Sequence, residues 1–335
     1  MKKIIFTLFL TALIFSCTED KSEVTTVSGN ALGTTFHIKY FSTIDFDVET
    51  KVDSVFEAVN KSMSTYLANS DISKINKGDS TIQVDHMFRE VFQLSKKINK
   101  KTKGYFDPTV GNLVNFYGFG ADKISLPTEK THDSLMNYVG LEKINLTENN
   151  YIKKENPQIY LEFNAIGKGY AVDRLSKMFE NEKVKNYLVE VGGEIRASGK
   201  NLENEQLWRV GIDDPQQDET ERSIAKIVSL NNTALATSGN YRKFRIDSVT
   251  GQRFVHTINP KTGFSEKSDI LSASVLAKTC AEADGYATAF MAMGSEKSIL
   301  LVEKLPEIEA YFIYDDNGNL KTFTSTGFEK NLLEK

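Results

Sequence analysis

The segment Cys280–Met293, which reads Cys-Ala-Glu-Ala-Asp-Gly-Tyr-Ala-Thr-Ala-Phe-Met-Ala-Met, constrains the fold more than any other part of the chain. It is built of alanines and large apolar residues, and a helix apolar nearly all round belongs inside a protein. Asp284 and Thr288 stand four residues apart, so their oxygens project from one helical face. A lone carboxylate in apolar surroundings is costly unless it is paired or bound to a metal. Carboxylate plus hydroxyl is hard-oxygen ligation, suited to Mg²⁺, which leaves further positions to waters and phosphate oxygens. The same Asp284 could instead be satisfied by backbone N–H groups or a lysine, and on this segment alone both readings stand. Cys280 is one of two cysteines. Its apolar setting predicts a buried thiol, with no disulfide framework and no thiolate zinc site.

Around this helix the pattern alternates between short strands and amphipathic helices. Residues 24–40 read as two strands with a turn at 29–33. Residues 46–62 and 87–98 carry apolar side chains at the i, i+3, i+4 and i+7 spacing of a helix face. Residues 105–119 are dense in Gly, Pro and aromatics, which suits a binding loop leading into a short helix. Helices are also predicted at 134–140 and 169–179. Strands are predicted at 160–163, 187–191, 208–212, 227–230, 234–236, 254–258 and 308–314. No regular βαβ period appears, so the class is α+β, as one large or two intimately packed lobes.

The N-terminus carries Lys2 and Lys3, an apolar run from Ile4 to Phe15 broken by Thr7 and Thr11, and Ser16 before Cys17. A membrane span needs roughly 20 apolar residues, so this run reads as a signal peptide. Ile14-Phe15-Ser16-Cys17 resembles the lipobox of bacterial lipoproteins, although Phe15 stands where small or branched residues are commoner. The expected organisation is a signal peptide at 1–16, an acylated Cys17 with a polar tether at 17–27, and one folded domain at 28–330. The other reading is a plain secretory signal with an incidental Cys. Two acyl chains or more make a stable anchor, which implies a protein tethered in the cell envelope and facing the periplasm. Without Lys2 and Lys3 the chain has 39 basic against 45 acidic residues, a formal charge of −6. That balance argues against nucleic acid as a partner. An anionic ligand must therefore be held by a local site.

Three further segments carry chemistry. Glu162-Phe-Asn-Ala-Ile-Gly-Lys-Gly-Tyr-Ala-Val-Asp173 leads a predicted strand into a helix through a glycine-flanked lysine. Gly167 and Gly169 permit close backbone approach, a helix N-terminus favours phosphate, and Lys168 adds a point charge. The spacing is not that of a P-loop, and an ordinary turn with a solvent lysine fits it as well. His256-Thr-Ile-Asn-Pro-Lys-Thr-Gly263 places a histidine at a strand end before a turn, where it suits either acid–base work or a structural hydrogen bond. Residues 237–243 offer hydroxyls and amides to a phosphate. No nucleophile elbow, CxxC or HExxH element occurs.

Taken in order, several short segments resemble the ApbE-type FAD:protein FMN transferases. They are Gly33-Thr-Thr, Met63-Ser-Thr-Tyr66, Gly104-Tyr-Phe-Asp-Pro-Thr-Val110, Gly118-Phe-Gly, Ala165-Ile-Gly-Lys-Gly-Tyr-Ala-Val-Asp173, Val191-Gly-Gly-Glu-Ile195, Ala236-Thr-Ser-Gly239, His256-Thr-Ile-Asn-Pro260 and Ala283-Asp-Gly-Tyr-Ala-Thr288. The resemblance implies Asp284 and Thr288 as side-chain ligands of Mg²⁺, with the carbonyls of Ala165 and Ala287 in the same shell. It implies FAD contacts at Leu32, Tyr66, Tyr105, Phe106, Asp107, Glu162, Lys168 and Ile258. The implied reaction moves FMN from FAD to a Thr or Ser hydroxyl of an exported acceptor protein and releases AMP, with His256 as base and Asp284 as its rival. Two residues depart from the family pattern: Glu162 and Asn259 both stand where Asp is more usual. Hydrolysis of FAD to FMN and AMP, or flavin binding without turnover, are the other activities this resemblance admits.

If Cys17 is the acylated residue, the wild-type protein should partition into the detergent phase of a phase-separated extract, and Cys17→Ala should stay unacylated with its signal uncut. Wild-type protein in the aqueous phase would remove the lipoprotein reading.

Overall fold

The computed structural model describes residues 23–122, 129–217, 222–240, 244–246, 253–265 and 268–334. The signal peptide, Cys17 and the tether as far as residue 22 lie outside the described residues, as do residues 241–243 of the expected phosphate-holding segment.

Period-two alternation sets the architecture, because two opposed apolar faces on one sheet require cover on both sides. Ala234, Ala236, Val275, Ala277, Ala310 and Phe312 belong to a core on one face, and Leu235, Leu276, Tyr311 and Ile313 to a second core on the other. The strands run, edge to edge, Val24–Ala31, Thr34–Phe41, Asn186–Val191, Glu194–Ser198, Thr233–Gly239, Ile270–Ala277, Ile308–Asp316 and Asn319–Thr324. Every neighbouring pair is antiparallel. Sheet order thus follows chain order, and the other structure is inserted between neighbouring strands, except for the Thr326–Glu329 helix and the Leu332–Leu333 strand, which follow the last one.

The helices Val48–Met63, His86–Lys101, Gly167–Asn181 and Cys280–Met293 cover the first face. A four-stranded sheet covers the second, with the Gln206–Asp213 and Ile224–Leu230 strands contributing Trp208, Val210, Ile212, Val228 and Leu230. A third cluster packs the Gly111–Phe116 helix, through Leu113 and Val114, against Val139 and Ile258. The result is mixed helix and sheet in one body, with a core on each side of a shared sheet.

Cys280–Met293 is a buried helix against the Thr233–Gly239 and Ile270–Ala277 strands and the Gly167–Asn181 helix. The alanines beneath it leave room for so close an approach. Both oxygens of Asp173 accept from the first turn, from Cys280 N and Ala281 N at 2.9 Å each, while Arg196 binds the same carboxylate at 2.8 Å.

Several expectations need correction. The first strand begins at Val24, where the alternation of residues 24–40 places it and within the 17–27 stretch also assigned to the tether, and the hairpin turns over Leu32 and Gly33 alone, at φ 51° and 73°. Residues 160–163 form no strand. The Asn76 side chain takes a strand partner's place there, donating to the Leu161 carbonyl at 2.8 Å and accepting from its N–H at 2.9 Å. The helix expected at 134–140 is Glu129–Met136, and the strand expected at 254–258 is Arg253–Val255, which ends before His256. The Glu194–Ser198, Ile270–Ala277 and Asn319–Thr324 strands were not anticipated. Ile270–Ala277 is buried on both faces and so shows no alternation to read.

Gly169 sits at the crossing of the two inner helices. A Cβ there would press on the Cys280 carbonyl oxygen and stand 2.8 Å from Asp284 Cβ. Gly169→Ala should therefore lose about 1–3 kcal/mol by overpacking, read as a lower midpoint in urea unfolding. An unchanged midpoint would mean that the crossing has slack.

Candidate active site

A cleft of about 780 Å³ opens where the central strands end, at Thr34 and Thr35, at the Gly192-Gly193 turn and at Gly239. Tyr66, Tyr105, Phe106, Asp107, Glu162, Ala165, Lys168, His256, Ile258, Asp284 and Thr288 all line it. The fold thus gathers these residues from five separate stretches of chain. Leu32 and Ala287 do not line the cleft. Leu32 is spent on the hairpin turn and packs on the first core, while Ala287 is fully buried inside its helix.

The deepest charges meet at one point. The Gly169 N–H donates to Asp284 Oδ2 at 3.0 Å, and Asp284 is 2 % exposed. Lys168 follows Gly167 at the start of the same helix, and its Nζ lies 2.7 Å from Glu194 Oε1. Burial alone would lower the Lys168 ammonium, but Asp284 and Glu194 outweigh it and hold the group above its ordinary value. Burial pushes Glu194 up to about 7, with Asp284 adding repulsion and Lys168 opposing both. Glu194 Oε2 is buried and finds no partner. Across the helix–strand contact, Ser238 Oγ and Thr288 Oγ1 are 3.4 Å apart, and Thr237 pairs with Ser274 at 2.8 Å.

The two loops have distinct tasks. Asp107 accepts from Thr109 N at 2.9 Å, Thr109 Oγ1 at 2.6 Å and Leu141 N at 3.1 Å, so its carboxylate pins the 105–110 loop. Burial nevertheless raises its pKa, against those hydrogen bonds. Lys297 Nζ donates to the Tyr105 hydroxyl at 2.7 Å and lies 5.0 Å from the ring centroid. Asn259, the departure beside His256, is a turn builder: its Oδ1 accepts from Lys261 N at 3.0 Å, and its carbonyl accepts from Gly263 N at 2.7 Å. It shapes the loop that presents His256 and Ile258 to the cleft. Glu162 is 8 % exposed and accepts from Asn164 Nδ2 at 2.6 Å.

Sequence reasoning assigned no role to Glu194, Asn164, Glu190 or His37, all of which line the cleft. Glu194 stood in the Val191-Gly-Gly-Glu segment, but no spacing connects it to Lys168 across 26 residues; only the sheet does. Among the described residues, no group of three or more His, Cys, Asp or Glu side chains gathers as a metal site.

The fold and this cleft define a class. The ApbE family model matches residues 32–312, and the chain belongs to that family. It is 33 % identical to the FAD:protein FMN transferase of Haemophilus influenzae, with 98 % of each chain covered, and 33 % identical to that of Vibrio cholerae, with 95 % of each covered. The solved flavin transferase ApbE from Vibrio cholerae superposes with a TM-score of 0.83 at 32 % identity, covering 93 % of this chain and 100 % of that one.

Glu162 supplies a pH test. Burial pushes its carboxyl from an ordinary 4.5 to about 7, so the protonated form is favoured by folding. Its contribution is complete below about pH 4.5 and is lost as pH rises through 7. Relative to wild type, Glu162→Gln should therefore gain stability between pH 4.5 and 8, by up to about 3 kcal/mol. Urea unfolding of both proteins at the two pH values measures it, and a constant difference would refute the assignment.

Proposed function

We propose that this chain is a Mg²⁺-dependent FAD:protein FMN transferase that releases AMP. The observation that carries the proposal is the meeting of Lys168, Asp284, Thr288 and Ser238 at the mouth of a helix, beside an aromatic wall of Tyr66, Tyr105, Phe106 and Phe119. Rings suit flavin and adenine faces, and a cation at a helix N-terminus suits the pyrophosphate between them. Relatives named for this activity, similar over nearly their whole length, support the same reading.

The oxygens present fit Mg²⁺ by their chemistry: one buried carboxylate, the Thr288 and Ser238 hydroxyls and the Ala165 carbonyl are all hard donors. Gly169 holds Oδ2 of Asp284, which leaves Oδ1 for a ligand. The ion's contribution would be to offset pyrophosphate charge. Lys168 holds the phosphate oxygens, while the Gly167 and Gly169 N–H groups of the same turn are already given to the Phe163 carbonyl and to Asp284. His256, at the cleft wall, takes the proton of the attacking Thr or Ser hydroxyl. The new bond joins that oxygen to the flavin-side phosphorus, and the bond from this phosphorus to the bridging oxygen breaks, so that AMP leaves with that oxygen. Acylation at Cys17 would keep the enzyme at the envelope beside exported acceptors. No helix of the described residues is long and apolar enough to cross a membrane.

Incubation with FAD and Mg²⁺, with and without acceptor protein, separates the activities. Acceptor-dependent AMP release with covalent flavin on the acceptor supports transfer, acceptor-independent release means hydrolysis, and none means binding alone. Asp284→Ala should abolish Mg²⁺-dependent AMP release while FAD still binds. His256→Ala should slow transfer by roughly 10²–10⁴-fold with FAD affinity kept. Full transfer by either variant would remove that residue from the reaction.

A further inference from the structure

The cleft has two arms, and only one of them suits a dinucleotide. The arm on the helix side holds the aromatic rings described above. The other arm is lined by residues of both the eight-stranded and the four-stranded sheet. There the register sets His37 opposite Glu190, Glu190 opposite Ile195, and Ile195 opposite Leu235. Directly paired residues share a face, so these four form one row. Leu235 and Ile195 pack on the second core, which fixes that face as the one turned to the small sheet. Gly211 and Ile212 line the arm from the small sheet. The strand residues of the two sheets that line the cleft include no Phe, Tyr or Trp, and the Asp213–Arg222 ion pair lines it beside Ile212.

Glu190 is the informative member. Its Oε1 accepts from Gly193 N at 2.6 Å and so fixes the turn at the strand ends. Its Oε2 is buried without a hydrogen-bond partner. Leaving such an acceptor unmet is costly, and a donor entering the arm relieves it. An apolar floor of Ile195, Ile212 and Leu235 with one waiting carboxylate oxygen lacks the stacking platform a ring needs. It fits an extended polypeptide, which brings backbone N–H donors and small side chains. Reaction geometry points the same way. Displacement at phosphorus requires the attacking oxygen to arrive roughly in line with, and opposite to, the leaving group. With FAD in the aromatic arm, the hydroxyl must come from elsewhere. The second arm opens at Thr237, next to Ser238 and its partner Thr288.

We infer that the arm between the two sheets is the acceptor channel: it takes an extended segment of the acceptor protein, receives a backbone N–H on Glu190 Oε2 and delivers the Thr or Ser hydroxyl to the phosphate end. This inference rests on the transferase reading. Two substitutions test it. Glu190→Gln keeps a carbonyl for Gly193 but turns the waiting acceptor into a donor, and Ile195→Phe narrows the arm. The full-length enzyme is given FAD, Mg²⁺ and the total envelope proteins of host cells lacking this chain. Flavin fluorescence that survives denaturation and washing is followed over time. With the envelope proteins limiting, both variants should label at least about tenfold more slowly than wild type. Their FAD dissociation constants should stay within about twofold of wild type, which also reports that they fold. Labelling at the wild-type rate by both variants overturns the channel and leaves the transferase reading intact. A parallel loss of FAD affinity assigns the arm to the dinucleotide and overturns the channel as well. Absence of any label with the wild-type enzyme overturns the transferase reading itself, and the channel with it.

Discussion

Two helices cross at Gly169, and the hydrogen bond from its backbone to Asp284 is the contact on which the cleft depends. The absent side chain lets the helices approach until a backbone N–H can reach a buried carboxylate. That contact fixes the start of one helix, with Lys168 beside it, against the middle of the other, with Asp284 and Thr288. Asp173 secures the second helix from below by accepting from its first two N–H groups, and Arg196 ties the same carboxylate to the sheet. The site is thus held by backbone and by buried charge, and mobile side chains are not asked to find one another.

The central sheet does the remaining positioning. Because its order follows the chain, each insertion leaves and returns at adjacent strands, and the strand ends gather loops that are far apart in sequence. The Gly192-Gly193 turn brings Glu194 to Lys168, the end of Thr233–Gly239 brings Ser238 to Thr288, and the loop after Arg253–Val255 brings His256 to the wall. One sheet with a core on each face also explains why a cleft at its end can run into both layers.

Much of this was legible in the residues. The buried helix at Cys280–Met293 followed from its composition, and Asp284 was marked by the cost of leaving a carboxylate there alone. Its two possible satisfactions, metal or backbone, were posed as alternatives; the fold uses backbone for one oxygen. Other features left no local trace. Glu194 belongs with Lys168 only through sheet pairing, and residues 160–163 form no strand, a side-chain amide from Asn76 pairing with the Leu161 backbone instead. Asn259 read only as a departure from the family's Asp, yet its amide oxygen is committed to the turn. Side-chain partners set by tertiary approach have no periodicity for a sequence to display.

Charge balance at the helix crossing limits what can bind there. Lys168 carries one positive charge, while Asp284 and Glu194 carry up to two negative ones between them. A pyrophosphate entering this centre adds further negative charge in partly buried surroundings, where opposite and like charges interact several-fold more strongly than in water. Lys168 is already engaged by Glu194 at 2.7 Å. A dinucleotide can therefore settle there only if a further cation accompanies it or a carboxylate gives up its charge. Burial and the Asp284 charge raise Glu194, so it is one carboxylate whose charge the site already disfavours. A divalent ion on the hard oxygens of Asp284, Thr288 and Ser238 would supply the cation. The same balance fits a chain with an acidic excess: the attraction for a phosphate anhydride is confined to one lysine, set between two carboxylates.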